Sequence, residues 1–194
     1  MKIYLVRHGQ TNYNSQRLIQ GRVDAPLNNV GQKQAKTAGQ KLKSLGVTFD
    51  RVVSSPLSRA LETGYLISKK INYKGHILIE PNFVERDFGN YELTKIADNF
   101  PKVMVEGFSE VGFEDNEQIR ERIAYGLVNL YNRFPDETIV LTTHAHAIRT
   151  VYLLFDNKKY TYTNFFLGNG SIHLFEFDGK KLNLIETYLN EEEQ

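Results

Sequence analysis

The 194-residue sequence predicts an α/β fold with three layers, in which a mostly parallel β-sheet has helices on both faces. Short apolar runs alternate with segments of helical periodicity, a pattern typical of βαβ units. Two segments each place their apolar residues on one helical face: Ala35, Ala38, Leu42 and Leu45 in the first, and Ile119, Ile123, Leu127 and Leu130 in the second. Near the end of the chain, Asp178-Gly179 separates two apolar runs and predicts a β-hairpin, so we expect one antiparallel edge strand.

The length of the chain predicts a single domain over residues 1–194. Between Glu85 and Gln118 the hydrophobic period is lost, which indicates an inserted, partly helical segment. We call residues 86–117 the lid segment and expect it to lie over the ends of the strands.

Composition excludes several classes of function. A hydrophobic content of 41% and a net charge of +1 are those of an ordinary globular protein, so we expect no nucleic-acid partner. Cysteine is absent, and Arg7 interrupts the N-terminal apolar run too early for a signal peptide. No apolar run is long enough to span a membrane. These features predict a cytoplasmic protein without a membrane partner, and we expect the acidic residues 191–193 to be solvated.

Cationic side chains follow three of the predicted strands. His8 and the adjacent Arg7 follow the run at residues 3–6, Arg59 follows residues 52–56, and His144 follows residues 139–143. Because the carboxyl ends of parallel strands meet at one edge of a sheet, we expect these side chains to lie together. Arginine forks bind phosphate oxygens in a bidentate manner, and an imidazole is a suitable nucleophile for phosphorus. Glu85 adds a carboxylic acid for protonation of a leaving oxygen.

These motifs, in this order, resemble those of the histidine phosphatase superfamily, the phosphoglycerate mutase-like enzymes. The resemblance covers nearly the whole chain, at residues 5–11, 21–35, 54–63, 85–92, 144–149 and 169–172. It implies that His8 forms a phosphohistidine, that Arg7, Arg59 and His144 hold the phosphoryl group, and that Glu85 acts as acid and then as base. It also implies a pocket for the phosphate that is lined by Thr11, Asn14, Gln20 and Gly21. No metal and no cofactor are implied.

The sequence departs from the family pattern after the second histidine. Ala145 stands where the family usually has glycine, so we expect it to reshape the pocket as a substrate-binding position. We interpret the next residue, His146, as a helix surface residue rather than a substrate contact. After the predicted strand that precedes Arg59, we interpret Ser55 as the N-cap of a helix and Pro56 as its first-turn proline. This places Arg59 at about the fourth helical position.

The charge of the lid segment favours a phosphatase that acts on small phosphorylated metabolites. From residue 86 to residue 122 there are nine acidic residues and five basic ones, which disfavours a polyanionic substrate. The lid segment also contains aromatic residues that could form a surface for an uncharged or apolar leaving group. They are Phe88, Tyr91, Phe100, Phe108 and Phe113. Glu92 and Asp87 remain alternatives to Glu85 as the acid.

Three alternative functions stay open. A phosphoglycerate mutase would use the same phosphohistidine chemistry. A metal-dependent hydrolase would use His144 and His146 with Asp24 or Glu85 as ligands. A non-catalytic module would bind phospho-ligands in the same pocket. A homodimer is compatible with the sequence, but no residue pattern requires one.

Overall fold

A computed structural model describes residues 1–189 of the chain, which are built around a six-stranded sheet. The strands are β1 (Lys2–Arg7), β2 (Arg51–Ser54), β3 (Leu78–Ile79), β4 (Thr138–Thr143), β5 (Ile172–Phe177) and β6 (Leu182–Tyr188), in the order β3-β2-β4-β1-β5-β6. The first four are parallel to one another, and β5 is antiparallel to both β1 and β6. The predicted hairpin is therefore confirmed. Its second strand, β6, lies at the edge of the sheet and pairs with β5 in antiparallel orientation.

Six α-helices surround the sheet in the described part of the chain: α1 (Asn12–Ser15), α2 (Asn29–Ser44), α3 (Ser58–Lys70), α4 (Ile96–Val103), α5 (Asn116–Arg133) and α6 (Ala145–Phe155). Two short 3-10 turns lie at Pro81–Phe83 and Gly89–Tyr91.

Alternate residues of β1 point to the two helical layers, as the strand period of two requires. Val6 packs in one core with Leu42 of α2 and Ile67 of α3. Leu5 packs in the other core with Ile123 of α5 and Ile148 of α6. The predicted three-layer arrangement of helix, sheet and helix is confirmed.

Backbone hydrogen bonds join the lid segment to the loop that follows β1. The Ile19 amide donates to the Thr94 carbonyl at 2.9 Å, and the Leu93 amide donates back to Ile19 at 2.7 Å. Phe88 and Phe113 of the lid segment bury Ile19 in a third hydrophobic cluster. The lid segment is thus packed onto the same loop that the sequence assigns to the phosphate pocket.

Helix α3 begins at Ser58, two residues later than the start that an N-cap at Ser55 predicts. Arg59 is therefore the second helical residue rather than about the fourth. The Ser55 hydroxyl lies 2.7 Å from His144 Nε2 instead of capping the helix. The capping carboxylate comes from a distant loop, because the Ser58 amide donates to Asp24 at 2.8 Å. A cap so far away along the chain leaves no local sequence signal.

None of the helices within residues 1–189 is both long enough and apolar enough to cross a membrane. The acidic residues 191–193 lie outside the described residues.

Candidate active site

The carboxyl ends of β1, β2 and β4 bring the predicted cationic residues together. β1 and β4 are paired in register up to Arg7 and Thr143, and the His8 amide donates to the Thr143 carbonyl at 2.9 Å. The rings of His8 and His144 consequently lie with their centroids 5.1 Å apart. Arg59 reaches the same point from the first turn of α3, and its Nε is 3.2 Å from His8 Nε2.

The contacts of His8 select one tautomer. Its Nδ1 lies 2.7 Å from the Gly9 carbonyl oxygen, which can only accept a hydrogen bond, so Nδ1 holds the proton. Burial, and then the charges of Arg59 and Arg7, hold the pKa of His8 well below its usual value of 6.5. The neutral ring therefore has its lone pair on Nε2, the nitrogen that faces Arg59.

Arg59 is fixed by three hydrogen bonds and is almost completely buried. Besides its contact with His8, it donates to the Gly21 carbonyl at 2.6 Å and to the Val23 carbonyl at 2.9 Å. Burial lowers the pKa of Arg59 to about 10, so it stays a cation at neutral pH. Arg7, which donates to the Leu167 carbonyl, supplies a second guanidinium to the same cavity.

His144 lies beside His8, is fully buried and does not itself line the cavity. It is the N-cap residue of α6, and its Nε2 lies 2.7 Å from the Ser55 hydroxyl, within hydrogen-bond distance. Burial lowers the pKa of His144 well below 6.5, and Arg59 acts in the same direction. Its Nδ1 has no hydrogen-bond partner among residues 1–189.

Glu85 follows the 3-10 turn at Pro81–Phe83, and its side chain contacts the first turn of α6 and lines the cavity. Its carboxylate accepts hydrogen bonds from the backbone amides of Arg86 at 2.9 Å and His146 at 3.1 Å. The two alternative acids, Glu92 and Asp87, do not line the cavity. Glu92 binds backbone amides of the neighbouring loop, and Asp87 forms a salt bridge of 3.3 Å with Arg22. Of the three candidate acids, Glu85 is the one that lines the cavity together with His8 and Arg59.

The loop after β1 contributes three of its four predicted pocket residues to the cavity wall, namely Asn14, Gln20 and Gly21. Thr11 is fully buried and does not line the cavity. Its hydroxyl donates to the Gln20 side chain at 2.8 Å and accepts from the Asn14 amide at 3.2 Å. Thr11 thus orients two residues that do face the cavity.

The cavity has a volume of about 320 Å³, and the lid segment forms one of its walls. That wall is apolar, because Phe88, Ile96 and Phe100 line it. The acidic excess of the lid segment, which we expected to repel polyanions, lies elsewhere. Glu114, for example, pairs with Arg122 at 2.6 Å.

Of the five aromatic residues expected to receive the leaving group, two line the cavity. The other three, Tyr91, Phe108 and Phe113, pack edge to face against one another.

The interpretation of His146 as a surface residue is wrong, because its side chain is only 2% exposed and lines the cavity. The lid segment covers it, with Phe88 at 5.1 Å and Phe100 at 5.7 Å between ring centroids. Arg149, three residues further along α6, also lines the cavity and had no predicted role. The spacing of three residues from His146 was a signal that both share one helical face.

Ala145 lines the cavity as expected. It is the first residue of α6, and the preceding His144 has an extended backbone with φ of −127°. No residue of this turn is in the left-handed region, so alanine replaces the usual glycine without backbone strain.

A family model described as histidine phosphatase superfamily (branch 1) matches residues 3–190. The chain belongs to the histidine phosphatase superfamily. The chain is 30% identical to an uncharacterized phosphatase PhoE of Bacillus subtilis, over 77% of this chain and 74% of that protein. Phosphoglycerate mutase-like protein 4 of Arabidopsis thaliana is 32% identical over 78% of this chain and 69% of its own length.

Among solved structures, a phosphoserine phosphatase from Entamoeba histolytica in complex with 3-phosphoglyceric acid is similar to this chain over nearly its whole length. The TM-score is 0.81 and the identity 28%, over 98% of both chains. Members that resemble this chain therefore include both phosphatases and mutase-like proteins.

The ligand set considered for a metal-dependent hydrolase does not assemble. Asp24 binds the N-terminus of α3 through Ser58, and His144 Nε2 binds Ser55. Within residues 1–189 there is no group of three or more histidine, aspartate or glutamate side chains arranged to hold a metal ion.

Proposed function

We propose that the chain is a phosphatase that hydrolyses small phosphomonoesters through a phosphohistidine on His8, without a metal or a cofactor. The observation that supports this most strongly is the state of His8. A neutral imidazole with its lone pair on Nε2, beside two guanidinium groups, is a nucleophile prepared for a phosphate dianion.

In the first step the phosphate takes over the hydrogen bond that Arg59 Nε donates to His8 Nε2, which frees the lone pair. His8 Nε2 then attacks phosphorus, a bond from nitrogen to phosphorus forms, and the ester bond to the leaving oxygen breaks. Arg7 and Arg59 bind the equatorial oxygens, over which the charge of the transferring phosphoryl group is spread, so that fixed cations stabilise it. Glu85 donates its proton to the leaving oxygen, because an alkoxide leaves poorly. We also assign His144 to the phosphoryl group, because it lies beside His8 and its Nδ1 has no hydrogen-bond partner among residues 1–189.

In the second step Glu85 removes a proton from water, and the water oxygen attacks phosphorus. The bond to His8 breaks, inorganic phosphate leaves, and His8 returns to its neutral form. Asn14, Gln20 and Gly21 line the cavity, and we assign them to the phosphate in both steps. The lid segment belongs to the same single domain and encloses the leaving group.

The apolar lid wall favours hydrolysis over isomerisation. A mutase must keep its phosphorylated product bound while the phosphoryl group returns, which requires additional cations around the product. Here the lid segment contributes Phe88, Ile96 and Phe100 to the cavity and no cation. Besides Arg7 and Arg59, the one cation of residues 1–189 that lines the cavity is Arg149, and its single charge does not match the two charges of a second phosphate. Phosphoglycerate mutase activity is the second candidate, since relatives with that name are among those that the chain resembles.

The test is the release of inorganic phosphate from a panel of phosphomonoesters that includes phosphoglycerates, sugar phosphates and nucleoside monophosphates. The expected result is release from a narrow group of substrates and none by His8→Ala. Phosphorus NMR of the same mixtures follows the phosphoglycerates. Interconversion of their isomers without phosphate release would replace the phosphatase with the mutase.

A further inference from the structure

Two polar side chains of α6 line the cavity but have no part in the proposed chemistry. His146 is 2% exposed, and its Nε2 has no hydrogen-bond partner among residues 1–189. Arg149 donates to the Phe165 carbonyl at 3.2 Å, whereas its buried Nε has no partner in the described chain. Buried polar atoms are nearly always bonded in folded proteins, so these two atoms indicate a missing ligand group.

The charges that line the cavity do not balance for a simple phosphate ester. Its cations are Arg7, Arg59 and Arg149, and its one carboxyl group within the described residues is Glu85. Arg7 and Arg59 match the two charges of the phosphate, and Glu85 is neutral when it begins the reaction as an acid. Arg149 then has one positive charge without a counterpart, and no carboxylate of residues 1–189 forms a salt bridge with it.

The surroundings of these side chains restrict what can bind them. Burial lowers the pKa of Arg149 only to about 10, so a cation remains at neutral pH, while the pKa of His146 falls well below 6.5 and its ring is neutral. His146 is held in place by stacking on Tyr162 at 5.7 Å and by Phe88. The resulting pair of one cation and one neutral imidazole, beside an apolar wall, suits a single anionic group with two acceptor oxygens.

We propose that Arg149 and His146 form a leaving-group subsite that binds a carboxylate on the alcohol portion of the substrate. The preferred substrates are then phosphomonoesters of small hydroxy acids. This inference rests on the phosphatase function proposed above and adds the identity of the leaving group. The cavity volume of about 320 Å³ is at the lower end of small-ligand pockets, which are roughly 300–1,000 Å³.

Two matched substrate pairs test the subsite. Phosphoglycolate and 2-hydroxyethyl phosphate differ only in a carboxylate against a hydroxymethyl group, as do 3-phosphoglycerate and glycerol 1-phosphate. The measured quantity is the ratio of kcat/KM within each pair. We expect the wild-type ratio to favour the carboxylate by about 10- to 100-fold in at least one pair, as a charge-assisted hydrogen bond provides.

Arg149→Leu is expected to bring that ratio close to one, and Arg149→Lys to retain part of it. His146→Phe keeps an aromatic ring in the same place and is expected to lower the ratio by removing the nitrogen. Arg120→Leu is the matched control, since Arg120 lies on α5 and lines a different, acidic cavity. It should leave the ratio unchanged.

A wild-type ratio near one in both pairs would overturn the subsite, as would a ratio that survives in folded Arg149→Leu. Failure of the phosphatase function looks different, because no substrate, including p-nitrophenyl phosphate, would release phosphate. The binding of the same pairs to His8→Ala, measured by calorimetry, tests the subsite without turnover. Equal affinities within both pairs would contradict it there too.

Discussion

Gly21→Ala is expected to destabilise the protein and to weaken phosphate binding. Gly21 has a left-handed backbone with φ of +54°, and an added Cβ would lie 2.0 Å from Glu92 Oε1. Glu92 accepts hydrogen bonds from the backbone amides of Arg22 at 2.6 Å and Val23 at 3.1 Å. The new methyl group therefore has to displace the carboxylate that holds this loop. Since Arg59 donates to the Gly21 and Val23 carbonyls, its guanidinium loses its support.

The magnitude follows from two contributions. A non-glycine residue in the left-handed region costs roughly 1–2 kcal/mol. Each hydrogen bond lost by Glu92 costs about 1 kcal/mol, and three are affected, because the Phe88 amide also donates to Glu92 at 3.3 Å. These values add to roughly 4–5 kcal/mol, and partial exposure of Glu92 reduces the second contribution, so the free energy of unfolding should fall by about 3–4 kcal/mol.

Urea denaturation and the inhibition constant of orthophosphate measure the two effects. Gly46→Ala is the matched control, because Gly46 has a similar φ of +67° and nothing within 4 Å of an added Cβ. It should show only the backbone cost and no change in phosphate affinity. The double variant Gly21→Ala/Glu92→Ala should be more stable than the sum of the single effects predicts, since it removes the clash. If Gly21→Ala resembled Gly46→Ala in both measurements, the coupling of Glu92 to the phosphate loop would be refuted.

Three further predictions concern the role of Glu85, the absence of a metal requirement and the pH dependence of protein stability. Glu85→Gln should slow phosphate release most for leaving groups of high pKa and least for nitrophenol, and equal losses across a series of leaving groups would remove Glu85 from the acid role. Activity should be unchanged after dialysis against a chelator, and a loss restored by a divalent cation would contradict the metal-independent mechanism. Protein stability should fall below about pH 6.5, by up to about 1.4 kcal/mol per pH unit for each histidine that is buried in its neutral form. Burial lowers the pKa of His8, His144 and His146 well below 6.5 and that of His173 to about 3, so the unfolded chain binds more protons in this range. Urea denaturation at pH 7.5 and 5.5 measures the effect, and equal stability at both values would contradict it.

Much of the fold and the reacting centre could be predicted because their signals are local. Apolar runs and helical periodicity mark the strands and the helices. His8 and His144 directly follow their strands, and Arg59 lies in the first turn of the helix that follows β2. Parallel strands then bring His8, Arg59 and His144 to one edge without any further information. The hairpin at residues 178–179 is similarly defined by its turn residues.

The features that could not be predicted depend on contacts between distant segments. His146 is buried because the lid segment covers the first turn of α6, and the irregular sequence of that segment does not predict where it packs. The start of α3 depends on Asp24, which lies 34 residues before Ser58. The acidic residues of the lid segment could be counted but not placed, because their salt bridges with Arg22 and Arg122 are formed only in the folded chain.

The central claim is that His8 accepts the phosphoryl group, and the most direct test is to trap that intermediate. The enzyme is mixed with p-nitrophenyl phosphate in the presence of a chelator, quenched in alkali within milliseconds, and digested for mass spectrometry. The account predicts up to one phosphate per chain on His8, and neither phosphoenzyme nor turnover in His8→Ala. Continued turnover by His8→Ala, with no phosphohistidine in the wild-type enzyme, would contradict it.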